Sequence, residues 1–132
     1  MGIHVFWNDE ARTVMVWEIT GQWNWMMLTA AAEEAAELRR KIPYRQAVTT
    51  IFNLVRAAPL QTGELMLETA PTVEIVVPVN GDSVIFAGRE AFNLKLRSIF
   101  RRMNIDLGSH VYSVGSMNEA NFTLREIQAR SG

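Results

Sequence analysis

Residues 12–54 carry three successive patterns that leave few folds open to the chain. RTVMVWEIT is a β-branched and aromatic run, NWMMLTAAAEEAAELRRKI repeats its apolar residues at helical spacing, and QAVTTIFNL is apolar again. In the middle stretch Trp25, Leu28, Ala32, Ala35, Leu38 and Ile42 recur at steps of three and four, one stripe of an amphipathic helix. Asn24 offers an N-cap oxygen, Glu33, Glu34 and Glu37 precede Arg39, Arg40 and Lys41 as the helix dipole favours, and Pro43 ends the run. A strand, a helix and a second strand in this order predict parallel pairing through a right-handed crossover. QAVTTIFNL lacks clean alternation, as a parallel strand buried on both faces does.

Upstream, IHVFW (3–7) and RTVMVWEIT (12–20) flank NDEA and predict a hairpin. With Val5 opposite Met15, Ile3 meets Trp17 on one face, while Phe6 meets Val14 and His4 meets Val16 on the other, so both faces are partly apolar. Downstream, TGELMLETA predicts a short helix capped by Thr62 and closed before Pro71, and TVEIVVPV (72–79) a strand with Pro78 near its end. VIFAGREAFNLKLRSIFRRMN (84–104) reads as one long helix with Phe92, Leu96, Ile99 and Met103 on its inner stripe. HVYSV (110–114) is the last strand. Ser116 and Glu119 then form an S-x-x-E capping box for a terminal helix whose stripe is Ala120, Leu124 and Ile127. The order is ββαβαβαβα, a single α/β domain over residues 1–132 with an N-terminal hairpin joined to parallel core strands.

Composition narrows the function classes. A chain of 132 residues buries roughly two thirds of its unfolded surface in one core. Thirteen basic against 14 acidic side chains leave no net field for nucleic acid or a membrane surface. The absence of cysteine removes disulfides, thiol nucleophiles and thiolate metal sites. Asp9, Glu10 and Glu18 stand where a signal peptide would be basic and then apolar, and the apolar runs are strand-sized against about 18 residues for a membrane span. A cytoplasmic protein of bacterial type, with no membrane span, is expected.

Ligands of parallel α/β sheets gather beyond the carboxyl ends of the strands. The residues placed there are Gln22, Asn53, Asn80 and Ser116, none of them a general acid or base at neutral pH. His4 and His110 lie near opposite ends of the chain without a carboxylate pattern beside them. No G-x-S-x-G elbow, P-loop or G-x-G-x-x-G occurs. Catalytic, cofactor and metal residues are therefore not expected. Trp7, Trp17, Trp23 and Trp25 with Met15, Met26 and Met27 crowd the first 27 residues, and such side chains serve adaptable apolar contacts as well as cores. Trp7, Trp17, Trp23, Met15 and Met27 are the candidate interaction or ligand surface. Arg89, Lys95, Arg97, Arg101 and Arg102 flank the stripe of the long helix; flanking cations usually lay their stems over the core edge, and the sharper reading is a patch for an anionic partner.

WND at 7–9 and GQWNW at 21–25, together with the order of elements, resemble the SpoIIAA-like fold of STAS domains, and small bacterial proteins of that topology most of all. The resemblance implies a two-layer fold with helices mainly on one side of a mixed sheet. It also implies a regulatory, protein-binding role like that of anti-sigma-factor antagonists, whose switch is a phosphorylated serine or threonine opening a short helix. The matching place is NLVRAAPLQTGELM, where Thr62 and Gly63 fit the motif and Gln61 stands in the acidic position. A phosphate on Thr62 would meet helix N-terminal amides, and without one Thr62 is an N-cap worth about 1 kcal/mol. If helices cover one side, the aromatic face of the hairpin needs a second cover, and a homodimer is the simplest. The expected function is a non-catalytic interaction domain that self-associates, with a regulatory protein as a further partner; the alternative is a carrier of a small apolar ligand or lipid.

Overall fold

In the computed structural model, which describes residues 2–43, 46–58, 83–102 and 110–131, Asp9 organises the first turn. Its carboxylate accepts hydrogen bonds from the N–H groups of Thr13 (2.9 Å) and Val14 (3.0 Å) and from the Thr13 hydroxyl. Asn8 N–H donates to Val14 O at 2.8 Å. The turn therefore runs through Thr13, longer than NDEA alone. As a result β1 (Gly2–Trp7) pairs antiparallel with β2 (Val14–Thr20) two residues away from the expected register. Val5 lies opposite Trp17, Ile3 opposite Ile19, Phe6 opposite Val16 and His4 opposite Glu18. A slip of two leaves every side chain on its expected face, because strand side chains alternate with period two.

α1 (Trp25–Arg40) starts where expected, with the Asn24 side-chain oxygen accepting from Met27 N–H at 2.9 Å. Its inner face is built of Leu28, Ala31, Ala32, Ala35 and Ala36, all buried. Beyond its C-terminus the Arg39 guanidinium donates to Gln46 O (3.0 Å) and the Gln46 amide to Ala11 O (3.1 Å) and Arg12 O (3.0 Å). These bonds tie the helix exit to the hairpin turn and so set the start of β3 (Thr49–Asn53), which lies parallel to β2 with Phe52 opposite Trp17.

The expected helix at 84–104 divides in two. Ser83–Ala87 is a strand, β4, parallel to β3 on one side and to β5 (Val111–Val114) on the other; α2 (Glu90–Arg102) begins only after Gly88. Every residue of SVIFA is buried, as in the middle strand of a sheet covered on both faces. Gly88 turns the chain at φ 155°, a region that L side chains avoid. The inner residues of α2 are Asn93, Leu96, Ile99 and Phe100, with Phe92 half-buried at their edge. Met103, the predicted helix opened by Thr62 and the predicted strand 72–79 lie outside the described residues.

The sheet order is β1-β2-β3-β4-β5, with the hairpin antiparallel and the other pairs parallel. α3 (Met117–Ser131) closes the chain, its first turn held by Ser116 Oγ accepting from Glu119 N–H (3.2 Å) and by the Glu119 carboxylate accepting from Gly115 N–H (2.7 Å). The described helices lie on both sides of the sheet, which corrects the two-layer expectation. α1 and α2 cover Met15, Trp17, Phe52, Val84 and Phe86. α3 covers Ile51, Ile85 and Ala87 with Ala120, Leu124 and Ile127. The larger core centres on Trp17, Phe52, Phe86 and Phe100, with Phe52 4.9 Å from Trp17, 5.0 Å from Phe86 and 5.2 Å from Phe100 between ring centroids. Each of these fully buried side chains stabilises the fold by roughly 1.5–3 kcal/mol through desolvation. No described helix is long and apolar enough to cross a membrane.

Candidate functional site

The carboxyl ends of the parallel strands are where a ligand site of this topology would stand, and their backbone is laced together. Gly21, at φ 63°, ends β2; its N–H donates to Arg56 O (3.0 Å) and its carbonyl accepts from Ala58 N–H (2.8 Å), which lashes the loop after β3 to the end of β2. The Trp23 indole N–H adds a bond to Ala58 O at 3.3 Å. Leu54 N–H donates to Ala87 O (2.6 Å), and Gly88 N–H to Val114 O (3.0 Å), extending the ladder past each strand end.

Asn93 completes the closure from inside. Only 1% exposed, it directs Nδ2 at Gly88 O (3.1 Å), Ser113 Oγ (3.0 Å) and Val114 O (3.2 Å), which pins the first turns of α2 to the ends of β4 and β5. Its Oδ1 is buried with no hydrogen-bond partner among the described residues. Sequence reasoning missed this residue. Its signal is a polar side chain three positions before Leu96, on the buried side of an amphipathic helix.

Beside these strand ends is a shallow cleft lined by Trp23, Leu54, Ala57, Ala58, Phe92 and Lys95, with a cavity volume of about 10 Å³. That is below the roughly 300 Å³ at which small-molecule pockets begin. Lys95 is the one charged residue of this lining. Arg89 lies with its guanidinium 5.7 Å from the centre of the Phe92 ring, a cation–π contact at the same helix end.

The candidate surface residues separate. Met15, Trp17 and Trp23 are core side chains, 0%, 1% and 8% exposed, so they form no surface for a partner, and the cover their face needs comes from α1 and α2. The Trp17 indole N–H is buried with no acceptor among the described residues, so the ring is held for its volume and its aromatic contacts. Trp7 is half-buried against the same core, and Met27 is 39% exposed on the first turn of α1. Of the basic residues, Arg89 and Arg101 are exposed, Lys95 and Arg97 are half-buried, and Arg102 is the last residue of α2. Lys95 and Arg97 leave the helix on opposite flanks of the Leu96 stripe, so the helix does not gather them into one patch. Of the polar residues expected at the strand ends, Gln22 is exposed, Asn53 Oδ1 accepts from Val55 N–H (3.1 Å), and Ser116 caps α3; Asn80 and Thr62 lie outside the described residues.

His4 and His110 are both exposed; His4 lies within β1 and His110 just before β5, the two outer strands of the described sheet. Among the described residues no three His, Asp or Glu side chains gather as a metal-ligand set. No protein-family model, no curated protein and no solved structure matches the chain.

Proposed function

We propose that the chain is a regulatory interaction domain of SpoIIAA-like, STAS type, which acts by binding, carries no chemistry of its own and self-associates as a homodimer. The observation that carries this reading is the closure of the strand ends. Among the described residues, several groups at those ends are committed to holding loops and helices: the Trp23 indole to Ala58, the Asn93 amide to Gly88 and Val114, Ser116 and Glu119 to the start of α3. The sheet order agrees, since β2 to β5 follow one another without the reversal that opens a ligand crevice in doubly wound sheets. This arrangement supports a role played at the outer surface.

The carrier reading draws on the apolar cleft beside Trp23, which would have to widen to take a lipid chain. Native mass spectrometry of the purified protein separates the two. A dimer without added mass is expected; a monomer that carries a small molecule would overturn the interaction reading in favour of the carrier.

A further inference from the structure

We propose that two copies of the chain join edge to edge along β1, making one continuous sheet; this rests on the binding-domain reading and names both its partner, a second copy, and its surface. Among the described strands β1 is an outer one. Asn8 N–H reaches Val14 O, so in the alternating antiparallel ladder Phe6, His4 and Gly2 also turn their backbone groups toward β2. The N–H and C=O groups of Ile3, Val5 and Trp7 consequently point away from it. Among the described residues no strand pairs with them. Solitary edges are normally blunted by lysine, proline or a bulge, and GIHVFW has no lysine, no proline and an unbroken register.

The edge is complementary to itself. Its three outward residues are symmetric about Val5, so a two-fold axis there pairs Val5 with its own counterpart, and Ile3 with Trp7 of the second copy in both directions. That is the closed, isologous contact expected of a homodimer. β1 holds no Lys, Arg, Asp or Glu, so the copies bring no such charges together; Glu18 stands one strand in, opposite His4. On one face His4 and Phe6, whose rings are 5.3 Å apart, would meet Phe6 and His4 of the other copy.

Backbone pairing alone covers less than the roughly 800 Å² per partner of a stable interface. The first turn of α1 extends it. The sulfur of Met27 lies 3.7 Å from where a Cβ on Gly2 would stand, so this 39% exposed side chain continues the apolar strip of Ile3 and Trp7 past the end of the strand. Met26, 79% exposed, precedes it on the same turn.

Sedimentation velocity over a wide concentration range on wild type, Ile3→Pro and His4→Lys tests the interface. Proline at position 3 removes an outward N–H that β2 does not use, and lysine at position 4 places a charge beside the partner's Phe6 on an already exposed position. Wild type is expected to dimerise, and each folded variant to weaken the dimer at least about tenfold, the equivalent of one or two lost contacts. If Ile3→Pro loses its circular-dichroism signature, His4→Lys alone decides. A dimer that both variants leave untouched would overturn the β1 interface while keeping self-association. A wild-type monomer at every concentration would overturn the self-association reading with it.

Discussion

Asn93 is the residue on which the closed strand ends most depend. Its single amide serves carbonyls of β4 and β5 from inside a helix, where no water competes. Asn93→Ala is expected to lower unfolding free energy in urea by about 2 kcal/mol, since the carbonyls lose a buried donor. Asn93→Asp should be worse at neutral pH, because a carboxylate would face Gly88 O and Val114 O; an aspartate variant as stable as wild type would refute this account of the clamp. Asp9 acts likewise on the hairpin turn. Burial raises its pKa, but hydrogen bonds from the Thr13 hydroxyl and from the N–H groups of Val14 and Thr13 outweigh it, and the net shift is below the ordinary value of 3.8. A carboxyl lowered on folding stabilises the native state at pH values above its unfolded pKa and loses that contribution as pH falls through the folded one. The thermal midpoint of wild type should therefore fall more steeply than that of Asp9→Asn below about pH 4. Parallel curves would assign the turn's stability to something other than the carboxylate.

At the scale of elements, the hairpin, α1, β3, β5 and α3 were legible because turn or cap residues bound each apolar run. Asn24 and Ser116 cap as their positions predict. The hairpin register was off by two because the side-chain bonds of Asp9 lengthen the turn, and composition does not encode turn length. The failure at 84–104 has a different cause. VIFA is apolar at every position, and such a run suits a helix core and a doubly covered strand equally; only Gly88 marks the boundary. That glycine also permits contact between neighbouring strand ends, since a Cβ there would stand 2.8 Å from Leu54 Cβ and 3.0 Å from the Leu54 carbonyl carbon. Gly88→Ala is expected to destabilise by more than about 2 kcal/mol, combining backbone strain with that clash. Chemical denaturation that moved by only a few tenths would show that the turn relaxes freely.

At the scale of the molecule, the aromatic content of the N-terminus was visible in the sequence, but its destination was not. Whether Trp17 and Met15 face a partner or a helix depends on which sides of the sheet the helices take, and a linear pattern of strands and helices leaves this open. With α1 and α2 on one side and α3 on the other, both faces of the parallel strands are covered, and the bonding capacity that no described strand meets lies at an edge. Of the surface residues expected from the sequence, Trp7 ends β1 and Met27 lies by its start, at the edge proposed for self-association, while Met15, Trp17 and Trp23 lie inside the core. Residue-resolved hydrogen exchange of the Ile3, Val5 and Trp7 amides, at high and at low protein concentration, tests that proposal most directly. Slow exchange at high concentration that becomes fast on dilution is the predicted result; exchange that is fast at both concentrations, or slow at both, would contradict it.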